Sequence, residues 1–149
     1  MRLGRFLLLT GLFVSLIMQV SAQTKEVWDV FAKTKFDAKY FEQYGEYIMY
    51  PSFTPETKAL VGKEITLHGF YVPFAPEDGN YIILSRFPMS QCFFCGGSGP
   101  ESVVEVNFAK GLPKLAIDDQ ITVRGKLKLN ADDMDHVNFI LTDAVIISK

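Results

Sequence analysis

Ile121, Val123, Leu127 and Leu129 alternate with Thr122, Arg124, Lys126 and Lys128. A period of two gives one dry face and one wet face, the mark of a strand lying on a core. Gly125 takes a dry position in this run, where a sharply coiled barrel strand needs a residue without a side chain. Four further segments read as strands. The first runs from Glu64 to Val72, is ended by Pro73 and Pro76, and is followed by a turn at Asp78-Gly79. "NYIILSRF" returns from it and "ESVVEVNF" follows. "HVNFILTDAVIIS" comes last, and its alternation slips near Leu141–Asp143, which predicts a bulge. Five principal strands with no long helix between them predict a mainly β fold, a small OB-like, partly open five-stranded β-barrel with a short N-terminal helix. Ile65, Leu67, Ile83, Val104, Val123, Leu127 and Phe139 are its expected core.

Ahead of the barrel the pattern changes. In "TKEVWDVFAKTK", Val27, Val30 and Phe31 fall at helical spacing with Trp28 beside them, and Thr24 is a candidate cap. This predicts one short amphipathic helix packed on the barrel. The stretch "FDAKYFEQYGEYIMYPSF" is dense in Tyr and Phe and predicts an extended segment or strand around Glu46–Tyr50, ended by Pro51. Its aromatic residues read as packing more readily than as a ligand platform. "TPETKALVG" predicts a helical turn capped by Thr54, with Pro55 in first position and Gly62 as its stop. Residues 23–62 thus form a leading segment and residues 63–149 the barrel domain.

Residues 1–22 change the picture of compartment. Arg2 and Arg5 precede an apolar run from Phe6 to about Val20, ending in Val20-Ser21-Ala22. This is the plan of a secretory signal peptide, and the run is shorter than the roughly 20 residues of a spanning helix. Cleavage after Ala22 predicts an exported, periplasmic or secreted protein with no transmembrane segment. The remaining 127 residues suffice for one domain and carry 13 basic against 17 acidic side chains. With no basic stripe, a nucleic acid partner is excluded.

Candidate chemistry is concentrated in "PMSQCFFCGGSGPES", which holds both cysteines of the chain, Cys92 and Cys95. Thiols outside the cytoplasm oxidise unless a metal or reductant holds them, yet a disulfide this local constrains the unfolded chain little. A thioredoxin-like couple opens a helix, whereas Gly96, Gly97, Gly99 and Pro100 follow here. Covalent haem attachment needs a histidine where Gly96 stands. Two thiolates three apart do make a metal half-site, and Met89 adds a soft donor that suits monovalent copper. His68 is the better candidate for a third ligand. His136, in the polar "NADDMDHVN", reads as a surface residue, and Asp132, Asp133 and Asp135 read as a solvated hairpin tip without calcium-loop spacing. Glu101 beside Pro100 is a lone carboxylate and no mechanism by itself.

"KEITLHGFYVPF", "NYIILSRFPMSQCFFCGGSGPESVVEV" and "DQITVRGKLKL" together resemble a family of small exported bacterial proteins, the domain of unknown function 3299. The resemblance covers roughly Val61 to Ile147. It rests on Gly69-Phe70-Tyr71-Val72-Pro73-Phe74, on the cysteine loop, and on Thr122 to Leu127. The family pattern has one cysteine, a histidine two positions later and a run of prolines. Here Cys92 matches the cysteine, Phe94 stands at the histidine position, Cys95 follows, and glycines replace most prolines up to Pro100. The resemblance implies a metal half-site rebuilt as Cys-x-x-Cys and a role beside ABC-type transport components.

Two functions follow as expectations. One is an exported metal-binding carrier or accessory, for zinc first and copper second, with Cys92, Cys95 and His68 as ligands and an envelope transporter component or other exported protein as partner. The other is a non-catalytic protein-binding module whose Cys92–Cys95 disulfide shapes an interaction loop of Met89, Phe93, Phe94, Gly96, Gly97, Pro100 and Glu101. Neither is an enzyme.

Overall fold

The computed structural model describes residues 26–75 and 79–149. The leader at residues 1–22, the candidate cap Thr24, and Pro76 and Asp78 of the expected turn lie outside the described residues. The chain forms helix α1 (residues 26–31), strands β1 (Lys35–Phe41) and β2 (Glu46–Ser52), helix α2 (Pro55–Lys58), and strands β3 (Glu64–Val72), β4 (Tyr81–Ser85), β5 (Val103–Phe108), β6 (Gln120–Leu129) and β7 (Phe139–Ser148).

The last five strands make the expected small barrel, in the order β3-β4-β5-β7-β6, and it is closed where a partly open one was expected. All pairs are antiparallel except β5 with β7. Closure depends on β3. It pairs with β6 through Glu64–Phe70 and with β4 through Phe70–Val72. The strand bends as it passes from one partner to the other, at Gly69, where a Cβ would collide with the Ser85 carbonyl oxygen and press on the Leu84 side chain. The anticipated bulge in β7 is present. Asp143 has a φ of +53°, and the β6–β7 register shifts between Arg124 and Lys126. Gly125 lies opposite this irregularity, with Ala144 and the Thr142 carbonyl crowding the space a Cβ would take.

Ile65, Leu67, Val104, Val123, Leu127 and Phe139 meet inside the barrel as expected. Ile83 does not. It points outward and packs with Val72, Cys92 and Val103. In β4, Ile82, Ile83, Leu84 and Ser85 are all buried because the cysteine loop covers the outer face, so no alternation distinguishes in from out.

Helix α1 packs on the barrel and completes its core, with Val27, Trp28 and Phe31 buried. Phe31 stacks on Phe139 at 4.2 Å between ring centroids, and Trp28 meets Phe31 edge to face. The Trp28 indole N–H donates to the His68 carbonyl at 2.8 Å, so the one polar atom of that ring is satisfied. Thr54 caps α2 through the Thr57 N–H, as its sequence predicts.

The aromatic stretch forms a complete two-stranded hairpin, β1 with β2, rather than one strand. Its turn closes through the Phe41 carbonyl, which accepts from the N–H groups of Tyr44 and Gly45. Pro51 does not end β2 but pairs with Phe36 within it. A strand with a partner on one side only tolerates a residue that cannot donate.

The interior contact of Phe31 yields a prediction. Phe31→Ala should lower the unfolding free energy in denaturant by about 3–5 kcal/mol, the usual cost of emptying a buried aromatic site. Tyr47→Ala, on the exposed hairpin, should change it by less than about 0.5 kcal/mol. Equal effects would contradict the plugged barrel.

Candidate functional site

The cysteine loop joins β4 to β5 and is a compact excursion on the outer wall of the barrel. The Arg86 N–H donates to the Ser102 carbonyl and closes its base. Three short 3-10 turns follow at Met89–Gln91, Phe93–Cys95 and Pro100–Ser102. The Met89 N–H is held by the Asp118 carboxylate at 2.7 Å, and the Ser98 and Ser102 hydroxyls bond at 2.7 Å. The Arg86 guanidinium reaches Asp29 of α1, also at 2.7 Å. A loop of this length tied to itself at so many points is an Ω-type feature, a form frequently functional.

The Cys92 carbonyl accepts from both the Cys95 and Gly97 N–H groups. Gly96 then takes a φ of +77°, and the chain turns back over the sulfurs. Gly97 lies so close to Gln91 that a Cβ there would meet its backbone at 2.6 Å. Cys92 is fully buried among Val72, Ile83 and Val103, with Met89 and Phe93 packed beside them, whereas Cys95 is exposed. The two sulfurs are not joined, and backbone hydrogen bonds give the loop its turns. Desolvation first, then a hydrogen bond with Cys92 and its charge, raise the Cys95 thiol above its ordinary pKa. A soft cation would reverse that shift by drawing off the proton.

His68 is not assembled with the cysteines. It lies on the wet face of β3 with its ring nitrogen 3.2 Å from the Thr122 hydroxyl of β6, while the cysteine loop rests on β4, β5 and the far end of β3. Among the described residues no three His, Cys, Asp or Glu side chains are grouped as a metal site. Glu101 folds its carboxylate back over Gly99.

The feature that the sequence did not disclose is a groove of about 570 Å³ beside this loop. It is lined by Phe93, Phe94 and Pro100 of the loop, by Glu46–Met49 of β2, by Phe74, Tyr81, Ile83 and Val103, and by residues 133–138. Phe94 stacks on Phe74 at 4.6 Å and meets Phe93 edge to face. Tyr47, Met49, Phe94 and Phe74 are 73%, 52%, 40% and 38% exposed, so the apolar lining is open to solvent.

His136, which reads as a surface residue in the sequence, lies in this groove. Its Nδ1 is 2.7 Å from Glu105 Oε2, and the other Glu105 oxygen accepts from the Asn107 amide at 2.8 Å. The Glu105 side chain is 2% exposed and that of His136 39%, so an otherwise buried carboxylate is covered by the imidazole. The hydrogen bond to Glu105 holds the His136 pKa above its ordinary value, against burial, which opposes it. Tyr81 beside it is pushed up by burial first and by the Glu105 and Asp135 charges next, so its hydroxyl keeps its proton.

A histidine whose pKa rises on folding stabilises most when protonated in both states. The contribution is complete below the unfolded value and is lost as pH rises through the folded one. The stability difference between wild type and His136→Gln should therefore be widest near about pH 6 and narrow as pH climbs. Denaturation curves giving a difference that is flat or grows with pH would refute the ion pair.

No family model matches the chain, and no curated protein matches it. Among solved structures, a DUF3299 family protein (PA4066) from Pseudomonas aeruginosa PAO1, determined at 2.45 Å, covers 66% of this chain and 68% of its own, with 18% identity and a TM-score of 0.45. It comes from the family that the cysteine loop and its flanking strands resemble.

Proposed function

We propose that this protein is a non-catalytic binding module of the cell envelope, and that the groove between β2, the cysteine loop and residues 133–138 holds an apolar segment of another exported protein. One observation carries the reading. Large apolar side chains that the completed core does not need are gathered, exposed, around a single concavity of ligand-site volume. The leader pattern of residues 1–22 supports export. The loop's many internal ties support a wall rigid enough to be preorganised for binding.

A photo-crosslinking residue placed at Tyr47 or Phe94 in cells should give a discrete adduct with one exported protein, identified by mass spectrometry. The same residue at Lys110, remote from the groove, should not. Adducts that are absent, or the same from all three positions, would remove the reading.

The second reading, a metal carrier, is favoured by one specific feature. Two sulfurs sit in one turn, closed by a left-handed Gly96. Zinc takes four ligands, so zinc would require a partner's side chains beside Cys92 and Cys95, whereas monovalent copper suits two sulfurs. Purified protein should then carry about one metal ion per chain, released by chelator and absent from Cys92→Ser, with thiols that alkylate only after chelation. Two freely titrating thiols and no metal would eliminate the carrier and leave the groove unaffected.

A further inference from the structure

We infer that the groove accepts an extended peptide segment carrying Lys or Arg beside apolar side chains, added as a third strand along β2; this rests on the groove being a binding site. Charge gives the first argument. The lining residues include three carboxylates, Glu46, Asp133 and Asp135, and no Lys or Arg. Among the described residues none of the three forms a salt bridge, although Asp133 accepts the Asp135 N–H at 3.1 Å. Asp132 follows on the same loop, where it accepts from the Tyr50 hydroxyl of β2 at 3.2 Å. The one titratable base of the lining, His136, already faces Glu105. An anionic ligand would meet repulsion here, and a cation would find partners. The exposed ring of Tyr47 in the same lining adds attraction for an ammonium or guanidinium group.

Geometry gives the second argument. Side chains of successive strand residues point to opposite faces. Yet Glu46, Tyr47, Ile48 and Met49, four in succession, all line the groove. That happens when a cavity runs along a strand's edge and not across one face. Among the described residues the β1–β2 sheet has two strands, so β2 has one edge with no strand partner among them. A free edge beside an apolar groove is a seat for strand addition, in which main-chain hydrogen bonds give affinity and side-chain contacts in the groove give choice. A free amine of small size would use the charge and leave that edge unsatisfied.

The test is a titration of the 15N-labelled protein with three probes: a capped hexapeptide Val-Lys-Val-Lys-Phe-Lys, its counterpart with Glu for each Lys, and phenethylamine. The lysine peptide should shift the amides of Glu46–Met49 and of residues 133–136, and bind about tenfold or more tighter than the glutamate peptide. Asp133→Asn with Asp135→Asn should weaken it several-fold without changing the melting temperature, and added salt should weaken it further. Equal binding of both peptides in the groove would overturn the cationic preference and leave the groove a binding site. Phenethylamine matching the lysine peptide would overturn strand addition in favour of a small amine. No shift in the groove with any probe would overturn the inference, and the crosslinking from Tyr47 then decides separately whether the groove binds anything at all.

Discussion

The constraint on which the rest depends is that β3 must pair on both sides within a ring of only five strands. A strand can serve β6 and β4 together only by bending sharply. Gly69 is the point where no side chain stands in the way of the Ser85 carbonyl. Once the ring is closed, its interior is fixed and its end must be filled. Trp28 and Phe31 fill it. The ends of β3, β4 and β5 then turn Val72, Ile83 and Val103 outward as a second apolar surface. The cysteine loop sits on that surface because Cys92 is buried in it.

The groove follows from the same arrangement. The cysteine loop, β2 of the hairpin and residues 133–138 all contribute to its lining. Tyr50, hydrogen-bonded to Asp132, ties the hairpin to the segment before β7. Glu105 is anchored on the outer face of β5, and its burial makes the position of His136 definite. A buried carboxylate must find donors, and Asn107 and His136 are those it has. The site is therefore built on the barrel and shaped by loops.

The barrel was legible in the sequence wherever one face of a strand is wet. Ile121 to Leu129 and the slip at Asp143 could be read because the polar residues between the apolar ones record the register. Ile83 could not be placed, since both faces of β4 are covered and the record is erased. Strand β1 was missed for the opposite reason: Lys35–Phe41 is mostly exposed and has no dry face to alternate with. The cysteine loop was legible by residue type alone, since Gly96 and the paired cysteines force a tight turn. Which histidine stands near it was not legible. The polar neighbours of His136 mark it as a surface residue and His68 lies in a strand, yet only the strand order sends His68 toward β6 and His136 over β5.

The contact between Phe31 and Phe139 also bears on the order in which the molecule can be assembled. Helix α1 leaves the ribosome early, and the ring it stacks against comes at the start of the last strand. Until β7 has been made, the apolar face of Val27, Trp28 and Phe31 has no complete seat, and β6 has no outer partner. Contacts between such distant parts of a chain make folding slow. In a chain of this design the core cannot close until β7 has been made, so the N-terminal helix waits for the last strand.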